Sequence, residues 1–108
     1  VGSVSYKDQL ATVFFALSDG QRRRVLEEVA RRPSATVTEI CSAFKVSRFA
    51  IMRHLNVLEE AGLIHREAVG RERRVRLTDW KFEDEIRQWV RQHRVESTEA
   101  ETDDQTDC

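Results

Sequence analysis

The sequence predicts a mainly α fold with one two-stranded β-hairpin, and three observations predict it. Apolar residues recur at three- and four-residue spacing in the first, second, fourth and last segments of the chain. The spacing changes to alternation between Leu63 and Leu77, around Gly70. Start and stop residues, namely Asp19, Thr36 and Ser47 against Pro33 and Gly62, separate the segments. With 108 residues the chain has room for one core and little more.

The first helix is expected from about Ser5 to Leu17, with Leu10, Val13, Phe14 and Leu17 along one side. Asp19 can cap a second helix through about Arg31, with Val25, Leu26 and Val29 inward, and Pro33 stops it. Thr36 and Glu39 have the spacing of a capping box, which opens a short third helix ending near Phe44. After Lys45-Val46, Ser47 caps a fourth helix, and Gly62 ends it. With Ile51 at zero degrees, Leu55 and Leu58 fall at about 40 and about -20, while Phe49, Arg53 and Asn56 fall between about 140 and about 200. One side of this helix is therefore built for a core and the other for something outside it.

Strands 63 to 68 and 73 to 77 make the hairpin, joined by Val69-Gly70-Arg71-Glu72, a loop longer than the tight two-residue type. A last helix is expected from Thr78 or Asp79 to about Val95, with Phe82, Ile86, Trp89, Val90 and His93 on one side. Helix, helix, short helix, long helix, hairpin, helix is the order of a winged helix-turn-helix with flanking N- and C-terminal helices. In that arrangement the long fourth helix lies in the major groove of double-stranded DNA.

The charge balance permits a polyanion partner without demanding one. The net charge is -1, but residues 96 to 108 carry six carboxylates and no base, which leaves thirteen of the nineteen against all eighteen Lys and Arg in residues 1 to 95. The first 95 residues are expected to form the DNA-binding and dimerisation domain, and the acidic remainder a disordered tail. Candidate DNA contacts are Ser47, Arg48, Phe49, Met52, Arg53 and Asn56 on the fourth helix and Arg71, Arg73, Arg74 and Arg76 on the hairpin. Arginine can pair bidentately with guanine, and Phe49 and Met52 can meet a thymine methyl. The hairpin arginines suit phosphate or the flanking minor groove, where they add affinity rather than sequence reading. His54, near the core margin, is as readily a structural histidine as a contact. Arg22-Arg23-Arg24 has the wrong sign for a helix N-terminus, so at least one member is expected to hold a phosphate or an acidic partner, unless the run is an ordinary exposed patch.

The stripe Phe82, Ile86, Trp89 and Val90, with Leu10 and Phe14 of the first helix, is expected to form a homodimer interface. Enzymatic readings find no support: there is no Gly-rich phosphate loop, nucleophile elbow or CxxC, and His54, His65 and His93 lie on different elements. No cofactor or metal is expected. Cys41 and Cys108 form no disulfide framework and are read as reduced thiols. With no leader and no long apolar run, a cytoplasmic protein off the membrane is expected.

The segments LSDGQRRRVLEEV (17 to 29), TVTEI (36 to 40), VSRFAIMRHLNVLEEAGLI (46 to 64) and GRERRVRLT (70 to 78) resemble the ArsR family of winged-helix transcriptional regulators. The likeness spans about residues 10 to 80. It implies a cytoplasmic homodimer that binds operator DNA, usually as a repressor, and often an effector that releases it. It also implies base contacts from Arg48, Phe49, Met52 and Arg53, where the bulky Phe49 and Met52 depart from the family's smaller residues. The family's metal sites carry over poorly. Thr36, Thr38 and Cys41 stand where the soft-metal type has three cysteines, and Trp80 and Phe82 stand where the zinc type has Asp and His ahead of His93 and Glu96. Without a metal site the expectation is either a constitutive autorepressor or a small-molecule effector that the sequence does not identify. The alternative to DNA binding is a winged-helix protein-interaction module using the Phe49 and Met52 patch.

Overall fold

The computed structural model describes residues 6–80 and 82–94. The element order is α1 (Tyr6–Leu17), α2 (Gly20–Arg31), β1 (Ala35–Thr36), α3 (Val37–Ser42), α4 (Arg48–Glu60), β2 (Ile64–Val69), β3 (Glu72–Leu77) and α5 (Glu83–Gln92). The predicted winged helix-turn-helix is present. The expected disordered tail, residues 96 to 108, lies outside the described residues, as do Ser5 and Val95.

The predicted caps act as expected. The Asp19 carboxylate accepts the Gln21 and Arg22 amides at 2.9 and 3.0 Å, and those bonds, led by Arg22, hold its pKa below the usual carboxylate value. The Thr36 hydroxyl accepts the Glu39 amide at 3.0 Å while the Glu39 carboxylate accepts the Thr36 amide at 2.9 Å. Gly62, at φ +80°, closes α4: its amide reaches the Glu59 carbonyl at 2.9 Å and the Leu63 amide reaches Leu58 at 3.0 Å. That is the paired bonding of a Schellman motif, which needs a left-handed residue.

Three expectations are corrected. The sheet has three strands in the order β1-β3-β2, because Ala35 and Thr36 pair antiparallel with Val75 and Arg74. A two-residue strand has no periodicity to read. The hairpin loop is the tight type after all: Val69 pairs with Glu72, leaving only Gly70 and Arg71 in the turn. Gly70 at φ +66° supplies the glycine-first geometry that suits twisted strands. Finally, α5 begins at Glu83 rather than at Thr78. The Thr78 hydroxyl donates to the Gly62 carbonyl at 2.6 Å, and the Thr78 amide and Trp80 indole N–H donate to the Leu63 carbonyl at 3.2 and 3.0 Å. These bonds hold residues 78 to 80 extended across the end of α4.

Every helix except α5 contributes fully buried side chains to one core, among them Val13, Val25, Val29, Ile40, Ile51, Leu55 and Leu58, joined by Leu63, Ile64 and Val75. The α4 residues Ile51, Leu55 and Leu58 are 0% exposed, as the 3.6-residue period predicts. Nearly buried Glu28 ends α2 with Arg32 and Arg31 as partners, and hydrogen bonds from Arg32 first keep its carboxyl below the usual range despite burial.

Candidate nucleic-acid interface

Anchoring α4 by one side leaves its opposite side outward. Ser47 starts the helix, its hydroxyl accepting the Ala50 amide at 3.0 Å. Phe49 is 71% exposed, and the Arg53 guanidinium stands over its ring at 5.8 Å. Arg48, one residue earlier, is exposed with its guanidinium 3.9 Å from the Cys41 sulfur. Met52 is not on this ridge. At about 100° from Ile51 it lies at the helix flank, and its flexible thioether packs partly buried against the core. Asn56 is exposed, but its side-chain oxygen accepts the Arg66 guanidinium at 2.7 Å.

Arg66 ties β2 to α4 and was not singled out in the sequence. Its side chain also donates to Glu59 at 2.8 Å. Burial works to raise the Glu59 carboxyl, yet the hydrogen bonds from Arg66 leave it below the usual range. At the hairpin, Arg71, Arg73 and Arg76 are exposed, and the side chains of Arg71 and Arg73 make no hydrogen bond or ion pair among the described residues. Arg74 is differently employed: it donates to the Ser34 carbonyl at 2.5 Å and to Glu72 at 2.7 Å, fastening the hairpin to the segment before α3. The start of α3, Arg48 and the tip residues Arg71 and Arg73 surround one cleft of about 430 Å³.

A second structure missed by sequence reading supports the ridge from behind. Arg22 is 7% exposed; its guanidinium donates to the carbonyls of Ala16 at 2.8 Å and Phe15 at 3.2 Å and lies over the Phe15 ring at 5.2 Å. Arg23 donates to the Leu17 carbonyl at 2.6 Å. The arginine run at the start of α2 thus serves the carbonyl end of α1, where positive charge is favoured. Arg22 also approaches His54 Nδ1 at 3.4 Å, and His54 Nε2 lies 2.9 Å from the Gln21 side-chain oxygen. A guanidinium only donates, so this pairing requires the tautomer with the proton on Nε2. Burial pushes the His54 pKa down, Arg22 and Arg53 push the same way, and Asp19 opposes them.

The apolar surface expected to pair two copies is distributed over α1 and α5. Phe14 and Val90 are about half exposed and Trp89 is 57% exposed, while Leu10, Phe82 and Ile86 are half-buried. Phe82, Ile86 and Val90 line a trough of about 500 Å³ together with Trp80, Arg87 and Arg91. Phe15, beside Phe14, is equally open on one side.

The residues do not suit a metal of either family type. Trp80 gives its only N–H to the Leu63 carbonyl and stacks on Phe82, with ring centroids 5.8 Å apart, so neither offers a donor. The Thr36 hydroxyl is committed to its cap. Among the described residues no three His, Cys, Asp or Glu side chains converge. No helix among them is long and apolar enough to cross a membrane.

Known proteins share this framework. A family model described as "Helix-turn-helix domain" matches residues 17–67. The solved structure of an ArsR-like transcriptional regulator from Rhodococcus sp. RHA1 superposes with a TM-score of 0.70 at 36% identity, over 82% of either chain. The uncharacterized HTH-type transcriptional regulator YuzN of Bacillus subtilis (strain 168) is 30% identical over 72% of this chain and 91% of its own. The transcriptional repressor SmtB homolog of Synechocystis sp. (strain ATCC 27184 / PCC 6803 / Kazusa) is 34% identical over 66% of this chain and 53% of its own.

Proposed function

The chain belongs to the ArsR family of winged helix-turn-helix transcriptional regulators, and from that premise we propose that it is a repressor that binds operator DNA as a homodimer. The observation that carries the proposal is the division of α4. Its apolar side is sealed in the core, its opposite side raises Phe49 and Arg53, and Arg48 shares a cleft with the hairpin arginines Arg71 and Arg73. A ridge of this width fits the major groove, and the hairpin tip lies where it can meet flanking phosphates. Direct base contacts are assigned to Arg48, Phe49 and Arg53, and phosphate contacts to Ser47, Arg71, Arg73 and Arg76. Met52, Asn56 and Arg74 hold the surface in shape.

Dimerisation through Phe14, Trp89 and Val90, with half-buried Ile86, is supported by the exposure of the first three and by the trough along α5 that Ile86 and Val90 line. Repression is supported by the Synechocystis relative, which is a transcriptional repressor homolog. A cytoplasmic location follows from that role. Control of release is assigned to a small molecule rather than to a metal bound by the family's ligand sets.

Selection of bound duplexes from a random pool, followed by footprinting, tests the proposal. It should return two inverted half-sites spaced about one helical turn, roughly 34 to 36 Å, apart. Light scattering at micromolar concentration should give twice the chain mass. A monomer, or a pool with no enriched duplex at low salt, would sink it and leave Phe49 as the centre of a protein-docking patch.

A further inference from the structure

Phe49 is hard to explain by folding. A phenylalanine 71% exposed among arginines forgoes most of the burial that stabilises its kind. Its one described neighbour of note is Arg53, four residues on, whose guanidinium covers the ring at 5.8 Å. Arg53 has no carboxylate or carbonyl partner among the described residues, whereas Arg22, Arg66 and Arg74 are each fastened by two or more acceptors. The ring lies beside the guanidinium as a cation–π neighbour, and with no acceptor on them among the described residues the Arg53 N–H groups remain available to a partner.

We propose that Phe49 and Arg53 together read one dinucleotide step: a pyrimidine carrying a 5-methyl group, thymine or 5-methylcytosine, adjoining a guanine. The inference rests on α4 being the major-groove helix. In that groove only thymine among the ordinary bases offers an apolar group, its C5-methyl, and guanine alone offers the O6 and N7 acceptors that suit a bidentate arginine. One helical turn separates Phe49 from Arg53 by about 6 Å along the axis, and successive bases of a strand are about 3.4 Å apart. With the guanidinium carbon 5.8 Å from the ring centroid, the extended edges of the ring and of the guanidinium can fall on neighbouring bases. Insertion of the ring between bases is a minor-groove device and does not suit a helix lying in the major groove.

The test uses the full chain and the duplex selected from the random pool, at fixed salt. Replacing thymine by uracil at the step deletes one methyl and should weaken binding by about fourfold, the worth of one buried carbon. Replacing the adjoining guanine by 7-deazaguanine removes an acceptor and should weaken binding at least as much. Phe49→Ala should abolish the thymine–uracil difference and keep the guanine preference; Phe49→Leu should retain part of it. On a duplex carrying cytosine at that place, 5-methylation should strengthen binding. Tight binding of the selected duplex with no response to uracil at any thymine adjoining guanine would overturn the step reading alone. So would a methyl response that survives Phe49→Ala. Failure to select any duplex would overturn the placement of α4 in the groove, and the step reading with it.

Discussion

Arginine does opposite work in two regions of this molecule. At the junction of α1, α2 and α4, Arg22 is buried and spends its donors on the carbonyls of Phe15 and Ala16 and on His54. On the outward ridge and hairpin tip, the guanidinium groups of Arg53, Arg71 and Arg73 meet no acceptor among the described residues. A guanidinium that is fully satisfied stabilises the fold, and one left with free donors is available to a partner. The contrast teaches which arginines to change for stability and which for binding.

The largest effect is expected from Arg22→Ala. It strips partners from two carbonyls and a half-buried histidine, so urea unfolding should show a loss of about 2 to 4 kcal/mol. Binding per folded molecule should hardly change. Arg53→Ala should do the reverse: a loss of about 1 to 3 kcal/mol on the preferred duplex with an unfolding midpoint close to that of the parent chain. If Arg53→Ala unfolded the protein, the division between the two regions would collapse.

Within the hairpin the same contrast can be sharpened over two positions. Arg73→Ala should weaken all duplexes similarly and reduce the steepness of the plot of log affinity against log salt by about one charge per subunit. Arg74→Ala, which releases Ser34 and Glu72, should instead register mainly as lower stability. Equal salt slopes for the two variants would show that both arginines meet phosphate.

The smallest effect is a pH dependence from the junction. Since the folded state lowers the His54 pKa from its ordinary 6.5, the unfolded chain binds that proton more tightly. The stability His54 contributes is thus fully present above about pH 6.5 and is lost as pH falls through the lower folded value. Urea midpoints taken between pH 7.5 and 5 should fall on the acid side, and His54→Gln should flatten that decline. An unchanged slope in the variant would show that His54 is not the responsible group; Glu28 and Glu59, lowered from 4.5, lose their contribution only at still lower pH.

The two faces of α4 were legible because a helix repeats every 3.6 residues, so Ile51, Leu55 and Leu58 could be separated from Phe49, Arg53 and Asn56 without coordinates. The caps at Asp19, Thr36 and Ser47 were legible because each satisfies local amides. Arg22 was not, since its partners sit six and seven residues away at the end of another helix and on α4. The start of α5 was displaced for a similar reason: Thr78 and Trp80 bond across to Gly62 and Leu63, at separations no local pattern encodes. Met52 lay at the helix flank, where angle alone leaves inward and outward turns equally open.

One small feature has a wide reach. Ala35 and Thr36 are paired with β3, and Thr36 is at the same time the cap of α3. The hairpin and the helix-turn-helix are thereby gauged against each other like the jaws of a set caliper. A duplex whose groove spacing differs from that gauge must bend or twist to fit, and the energy of that distortion lets base pairs the protein never touches influence which operators it prefers.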